Sequence, residues 1–297
     1  MPEQDRLSTL MDRLHGQLVQ LDRVVVAFSG GADSALLARV AHDTLGPERS
    51  QAVTAVSPSL AGTERDDCAA LAAEWGLRWS TVETDEMERA AYRRNDADRC
   101  YWCKDALLDA LGPVACARGA TVVLGVNVDD LGDHRPGQRA ASERGAAFPL
   151  VDAGFTKAEV RAASRRLGLR TWDKPAAACL ASRLPYGTAV SVGLLGRVER
   201  AEHGLNALGF RDVRVRHYGD TARLEVPVAA FDLVLARRTE VVAAVRAGGY
   251  RYVTLDLDGL RSGNLNQGLL GPQWDTEPEA TTRRYPTSNV SIERSSP

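Results

Sequence analysis

Hydrophobic residues along this chain recur with two different periods. Leu7, Leu10, Leu14, Leu18 and Leu21 fall at helical spacing, so residues 5–20 read as an amphipathic lead-in helix. An unbroken apolar run at 24–28 reads as a buried strand, and 35–41 as the first turns of a helix. The alternation then continues. Residues 51–57 are β-rich, and 64–75 have helical spacing up to Gly76, a C-cap. Residues 77–82 alternate as a strand, 104–118 are helical, and 121–126 form a fourth apolar strand. Strands alternating with helices predict an α/β fold with a doubly wound parallel sheet. In such sheets ligands bind beyond the carboxyl ends of the strands.

After about residue 175 the pattern regroups. A helix at 192–208 ends at Gly209, and short strands at 213–217 and 222–226 flank a Tyr-Gly-Asp turn. A second helix follows at 231–247 and a further strand at 250–257. This grouping predicts a smaller α+β C-terminal domain. From about Gly271, Pro, Ser, Thr and charged residues replace the apolar pattern. The predicted division is therefore 1–174, 175–270 and a poorly ordered tail at 271–297.

Composition narrows the classes. A chain of 297 residues with 44% hydrophobic and 26% charged residues is that of a globular protein of about two domains. The net charge of −2 gives no global electrostatic case for nucleic acid. No apolar run approaches the roughly 20 residues needed to span a bilayer. The N-terminus lacks the order of a secretory signal, so the cytoplasm is the expected location. Five cysteines, an odd number, argue against a disulfide framework.

The candidate chemistry sits at strand ends. Ser29-Gly30-Gly31-Ala32-Asp33-Ser34 joins the first strand to its helix. The glycines let backbone N–H groups approach a phosphate, and the helix start adds partial positive charge. Ser29 and Ser34 can donate to phosphate oxygens, and Asp33 can hold Mg²⁺ or serve as an ordinary helix N-terminal acid. Ser57, after the second strand, is placed for a ribose or adenine contact. A polar loop after the fourth strand carries Asn127, Asp129, Asp130 and Arg135, fit either for nucleotide and metal or for a solvated turn.

Cysteine supplies the next group. Cys100 and Cys103 form a CxxC just before the helix predicted from residue 104, and Cys179 follows a Lys-Pro-Ala-Ala-Ala run. Positive neighbours and a helix start would favour thiolate. Three thiolates can bind iron–sulfur or zinc, or carry sulfur. Cys68 and Cys116 fall within predicted helices as packing residues. In the second half, Arg214 and Arg216 share one strand face and suit a phosphate or paired carboxylates. Glu202, Glu225 and Asp232 suggest a second cation site, with a charge network as the ordinary alternative.

Together these segments resemble one family of PP-loop ATP pyrophosphatases, the LarE-type ATP-dependent sulfur transferases. The resemblance runs from about Leu7 to Leu257 and rests on residues 29–34, 92–104 (YRRNDADRCYWCK), 125–140 (GVNVDDLGDHRPGQRA), 148–161 (FPLVDAGFTKAEVR), 172–188 (WDKPAAACLASRLPYGT) and 213–217. It implies a PP-loop domain of the adenine nucleotide alpha hydrolase-like fold. It also implies adenylation of a pyridinium dicarboxylate mononucleotide by ATP and Mg²⁺, then sulfur transfer giving a thiocarboxylate for a nickel-pincer nucleotide. Cys100, Cys103 and Cys179 together imply the form with a 4Fe–4S cluster rather than the form that sacrifices one cysteine. Arg183, Arg214 and Arg216 are implied as substrate-binding residues, and Glu202 and Glu225, with Asp232 a looser match, as metal-binding acids. The implied assembly is a homo-oligomer, a hexamer in the family. Two other readings stand beside this one: a PP-loop tRNA thiolase, and a non-catalytic nucleotide-binding module with structural zinc.

Overall fold

The computed structural model describes residues 3–132, 136–175 and 178–261. Helix α1 (Glu3–Leu21) leads into β1 (Val24–Ala27), α2 (Ala32–Leu45), β2 (Ser50–Val56), α3 (Gly62–Trp75) and β3 (Trp79–Glu83). Then come α4 (Ala90–Arg94), α5 (Arg99–Arg118) and β4 (Thr121–Leu124), followed by α6 (Pro136–Glu143), α7 (Pro149–Ala153) and α8 (Lys157–Arg166). The four strands pair in the order β3-β2-β1-β4, all parallel.

Alternation along β1 explains the layering. Val24 and Val26 face a core shared with Leu10, Leu14 and Leu18 of α1 and Leu36 and Leu37 of α2. Val25 faces the other way, onto Leu111 and Ala115 of α5. Because successive side chains point to opposite faces, a strand buried on both sides reads as an unbroken apolar run. Each fully buried Leu or Val here contributes roughly 1.5–3 kcal/mol of transfer free energy.

The second sheet is built from α9 (Val192–Ala207), β5 (Arg214–Tyr218), β6 (Thr221–Glu225), α10 (Phe231–Ala236), α11 (Arg238–Ala247) and β7 (Tyr252–Leu255). Its order is β5-β6-β7, antiparallel then parallel. The single helix expected over 231–247 is broken at Arg237, which leaves helical geometry. The Arg237 guanidinium donates to the Leu208 carbonyl and pairs with Glu240, which fixes the break. The tail at 271–297 lies outside the described residues.

A third apolar cluster unites the two halves. Tyr92 of α4 packs with Leu180, Leu184 and Val190 of the connecting segment and with Leu195 and Val198 of α9. Asn95, which caps α4 at φ +59°, donates through its side chain to the Pro185 and Thr188 carbonyls. Among the described residues no helix is long and apolar enough to cross a membrane.

Candidate active site

The first strand ends at the turn the sequence singled out. Gly30 takes φ +68°, and a Cβ there would lie 2.9 Å from the buried Cys68 sulfur, so both backbone and space require glycine. Gly31 is the N-cap of α2 and offers no side chain to the helix's first N–H groups. The helix therefore starts without a side-chain acceptor for those donors, which suits an anion. By contrast α8 is closed at its start by a full capping box of Thr156 and Glu159.

Ser34 organises the turn. Its hydroxyl donates to the Gly31 carbonyl at 3.1 Å and lies 3.1 Å from the Ser29 hydroxyl, while the Ser29 N–H donates to it at 3.2 Å. Strand β4 ends against the same helix start. A Cβ on Gly125 would fall 2.6 Å from the Ser34 nitrogen, so glycine is needed for this approach.

The loop after β4 reaches back to Asp33. Asn127 is buried, donating through its side-chain amide to Asp33 Oδ1 at 3.0 Å and accepting from the Asp129 N–H. The Asn127 N–H donates to Asp130 Oδ2 at 3.1 Å. Asp129 accepts from the Lys157 N–H at the start of α8, and the Lys157 ammonium pairs with Asp33 Oδ2. Lys157 is a site residue that sequence reasoning passed over. Its position inside 148–161 was the available signal. Asp33 thus has both oxygens engaged by protein donors, and a Mg²⁺ ion held there would replace the lysine. Ser57 bonds the Ser59 hydroxyl at 2.8 Å just past β2. Arg135 lies outside the described residues.

Between this loop and α5 lies a cavity of about 170 Å³, lined by Ser29, Ser34, Thr54, Lys104, Gly125 and Val126 among others. Val53, Leu107 and Leu124 give it apolar walls. It stands at the carboxyl ends of β1, β2 and β4, where a parallel sheet binds ligands.

Helix α5 connects this cavity to the cysteines. It begins at Arg99, five residues earlier than expected, so Cys100 and Cys103 lie within its first turns rather than before it. The start is set by Asp98, whose side chain accepts from Trp102 Nε1 at 2.9 Å and whose carbonyl accepts from the Tyr101 N–H. Three-residue spacing on a helix puts both sulfurs on one face. Cys100 is exposed, while Cys103 and Cys179 are half-buried. Burial, then the nearby Cys179 and Glu86, push the Cys103 thiol up to about 12. The thiolate expected from basic neighbours therefore does not hold for Cys103, because desolvation outweighs them. Arg99 itself is buried, donating to Asn95 Oδ1 and the Ala181 carbonyl.

Cys179 is brought in by its neighbours' backbone. The Leu180 N–H donates to the Ser59 carbonyl at 2.9 Å. Arg183, in the turn that follows, donates to the Ala178 carbonyl at 2.8 Å, and Arg216 of β5 donates to the Ser182 carbonyl at 2.6 Å. The three thiols sit near enough for Cys179 and Cys100 both to act on Cys103, and as a donor type they fit an iron–sulfur cluster. Among the described residues, however, no three His, Cys, Asp or Glu side chains are gathered as a metal site.

The acidic residues of the second half meet arginines rather than one another. Glu202 takes a two-pronged contact from Arg183 at 2.8 and 3.1 Å and accepts from the Val215 N–H. Glu225, fully buried, pairs with Arg216 at 2.8 Å and with Arg223 at 3.1 Å. Asp232 stands exposed in the first turn of α10. Arg214, half-buried, donates to the Arg261 carbonyl; burial and the neighbouring Arg183 and Arg216 lower its pKa.

Strand, uncapped glycine turn and helix over a parallel sheet define the class: a PP-loop nucleotide-activating enzyme. The NAD synthase family profile matches residues 6–105. An uncharacterized protein of Synechocystis is 45% identical over 266 residues, covering 89% of this chain and 99% of its own. The pyridinium-3,5-bisthiocarboxylic acid mononucleotide synthase of Lactiplantibacillus plantarum is 39% identical over 271 residues, covering 91% and 98%. An uncharacterized protein of Methanocaldococcus jannaschii is 24% identical over 81% of this chain. The chain belongs to the LarE-type family of ATP-dependent sulfur transferases.

Proposed function

We propose that this enzyme adenylates a carboxylate of a pyridinium dicarboxylate mononucleotide and replaces the activated oxygen with sulfur. The observation that carries this reading is the placement of α5. Its first turns bear Cys100 and Cys103, and Lys104 and Leu107 of the same helix line the nucleotide cavity, so activation and sulfur delivery share one wall. The relative of Lactiplantibacillus plantarum, whose name states a bisthiocarboxylic acid mononucleotide product, supports the substrate class.

In this reading the turn at Ser29–Ser34 receives the departing pyrophosphate, with Asp33 holding Mg²⁺ to offset its charge. Ser57, Asn127, Asp129, Asp130 and Arg135 complete the nucleotide side. Arg214 receives the substrate phosphate, with Arg183 and Arg216 behind it; Glu202 and Glu225 retain the metal role only if the arginines release them, while Asp232 stands open to solvent. The proposal includes a 4Fe–4S cluster on Cys100, Cys103 and Cys179, which when bound supplies a transferable sulfide. The functional border is proposed at 174/175, with residues 175–270 presenting the substrate. A homo-oligomer is also proposed, supported by Val228, Leu235 and Leu257 exposed on the second unit.

The test is incubation of anaerobically purified protein with ATP, Mg²⁺ and the dicarboxylate mononucleotide. Pyrophosphate release and a product mass showing oxygen exchanged for sulfur are expected, with iron in the protein. Zinc without iron removes the cluster, and thiolation of tRNA in place of the mononucleotide overturns the substrate. Light scattering reads the oligomer.

A further inference from the structure

Lysine occurs only three times among the 37 basic residues of this chain, at 104, 157 and 174. All three lysines stand around the Ser29–Ser34 turn. Lys157 pairs with Asp33. The Lys174 ammonium pairs with Glu64 at 2.8 Å and Asp67 at 2.7 Å, and lies 3.7 Å from the point a Cβ on Gly30 would take. Lys104 lines the cavity together with Ser29 and Ser34.

Two of these ammonium groups are compensated and one is not. Among the described residues Lys104 makes no hydrogen bond or ion pair, and it is the sole charged residue lining the cavity. Its other walls are apolar side chains, serine and threonine hydroxyls, and Gly125. Lys104 is half-buried, and an anion entering the cavity would meet a positive charge that no carboxylate compensates. The slender lysine stem also matters here. α6 crosses close to α5, and a Cβ on Gly137 would lie 3.0 Å from the Cys100 carbonyl and 3.4 Å from the Lys104 Cβ. A compact ammonium needs less room than a planar guanidinium.

We propose that Lys104 is a catalytic residue that binds the α-phosphate of ATP and of the acyl adenylate. This rests on the function proposed above and assigns one residue within it. The Ser29–Ser34 turn takes the pyrophosphate end. Lys104 lies beyond it, one residue from Cys103, between the nucleotide and the sulfur. The phosphate joined to the substrate carboxylate belongs in that interval. In the first half-reaction a carboxylate oxygen bonds to the α-phosphorus and the bond to pyrophosphate breaks, pyrophosphate keeping the electron pair. In the second, a nucleophilic sulfur, thiolate or sulfide, bonds to the acyl carbon and the carbon–oxygen bond breaks. That electron pair goes to AMP, whose phosphate gains one negative charge. An ammonium in contact with that phosphate stabilises the departing charge without giving up a proton.

The test compares AMP with adenosine as calorimetric probes of the wild-type protein and of Lys104→Met, both checked for matching thermal melts. AMP affinity is expected to fall roughly 10- to 100-fold, the range of a charge-assisted hydrogen bond. Adenosine affinity is expected to stay within about twofold, and the salt dependence of AMP binding to flatten. Equal losses for AMP and adenosine, or unchanged AMP affinity, overturn the assignment. Should the variant fail to fold, wild-type protein is treated with acetic anhydride and read by peptide mass spectrometry. AMP is expected to protect Lys104 and adenosine not to; equal protection by both overturns the assignment. Absence of pyrophosphate release by the wild type counts against the proposed function, while the AMP and adenosine comparison still judges Lys104.

Discussion

Two regions of this protein each gather three cations, and they use them differently. Around the glycine turn, Lys157 and Lys174 are tied to carboxylates while Lys104 faces a neutral cavity. Beside the Cys179 segment, Arg183 and Arg216 are tied to Glu202 and Glu225, and Arg214 has no carboxylate ion pair among the described residues. Lys157 holds Asp33 at the turn, and Lys174 joins Glu64 and Asp67 of α3 beside it. The arginines do something further, since both also donate to main-chain carbonyls that flank Cys179. A paired guanidinium keeps donors to spare, because it carries five N–H groups in a fixed fork. The first region is thus built around an available charge, the second around holding a backbone in place.

The sharpest way to break the comparison is at the glycine turn. Gly125→Ala forces a Cβ to within 2.6 Å of the Ser34 nitrogen, and that neighbour is backbone at a helix start. The loop must shift by a sizeable fraction of an ångström. ATP–pyrophosphate exchange is expected to fall by about 100-fold, the scale of a 1 Å misplacement. The fold, read by circular dichroism, should survive. Exchange within a few-fold of wild type would show that the turn tolerates movement and is not the activating element.

The matching experiment in the second region should act on stability first. Arg216→Ala takes the closest guanidinium from the fully buried Glu225, and leaves the Ser182 carbonyl without its donor. A loss of about 3–5 kcal/mol in urea unfolding is expected, the range for breaking a buried pair. Arg214→Ala removes a cation with no carboxylate ion pair and should cost far less stability, while weakening substrate binding. If the two variants unfold alike, the distinction between tied and available arginines is lost. A smaller effect, about 1–2 kcal/mol, is expected for Asn95→Ala. Its amide donates to the Pro185 and Thr188 carbonyls and accepts from Arg99, and its φ of +59° suits Asn better than Ala.

The same contrast explains what could be read in the sequence. The glycine turn is contiguous, so six residues announced both its geometry and its chemistry. The parallel sheet was equally plain, because strands such as 24–27 are buried on both faces. Partner choice was not legible. In the register of β5 and β6, Arg214 stands opposite Glu225, yet the close ion pair is the diagonal one from Arg216. Arg183 meets Glu202 across 19 residues. Glu202 and Glu225 suggested a cation site or a charge network, and the resemblance implied the metal role, while the arginines that meet them are set by tertiary packing. Lys157 was missed for a similar reason, being brought to Asp33 by α8 across 124 residues.

The smallest expected effect concerns the wall that joins the two regions, and it tests burial rather than charge. Cys100 and Cys103 lie three residues apart on α5, but Cys100 is exposed while burial, Cys179 and Glu86 push the Cys103 thiol up to about 12. A folded pKa above the unfolded one, near 8.5 for a free cysteine, means that the neutral thiol is favoured in the native state. The associated stability is fully present below the unfolded value and is lost as pH rises towards 12. At pH 8 iodoacetamide should therefore modify Cys100 at least about 10-fold faster than Cys103, since the thiolate is the reacting form. The Cys103 rate should climb only in alkaline solution, and faster once urea opens the fold. Equal alkylation at pH 8 would mean that the first turns of α5 open readily, and the wall proposed to join nucleotide and sulfur would then be a moving one.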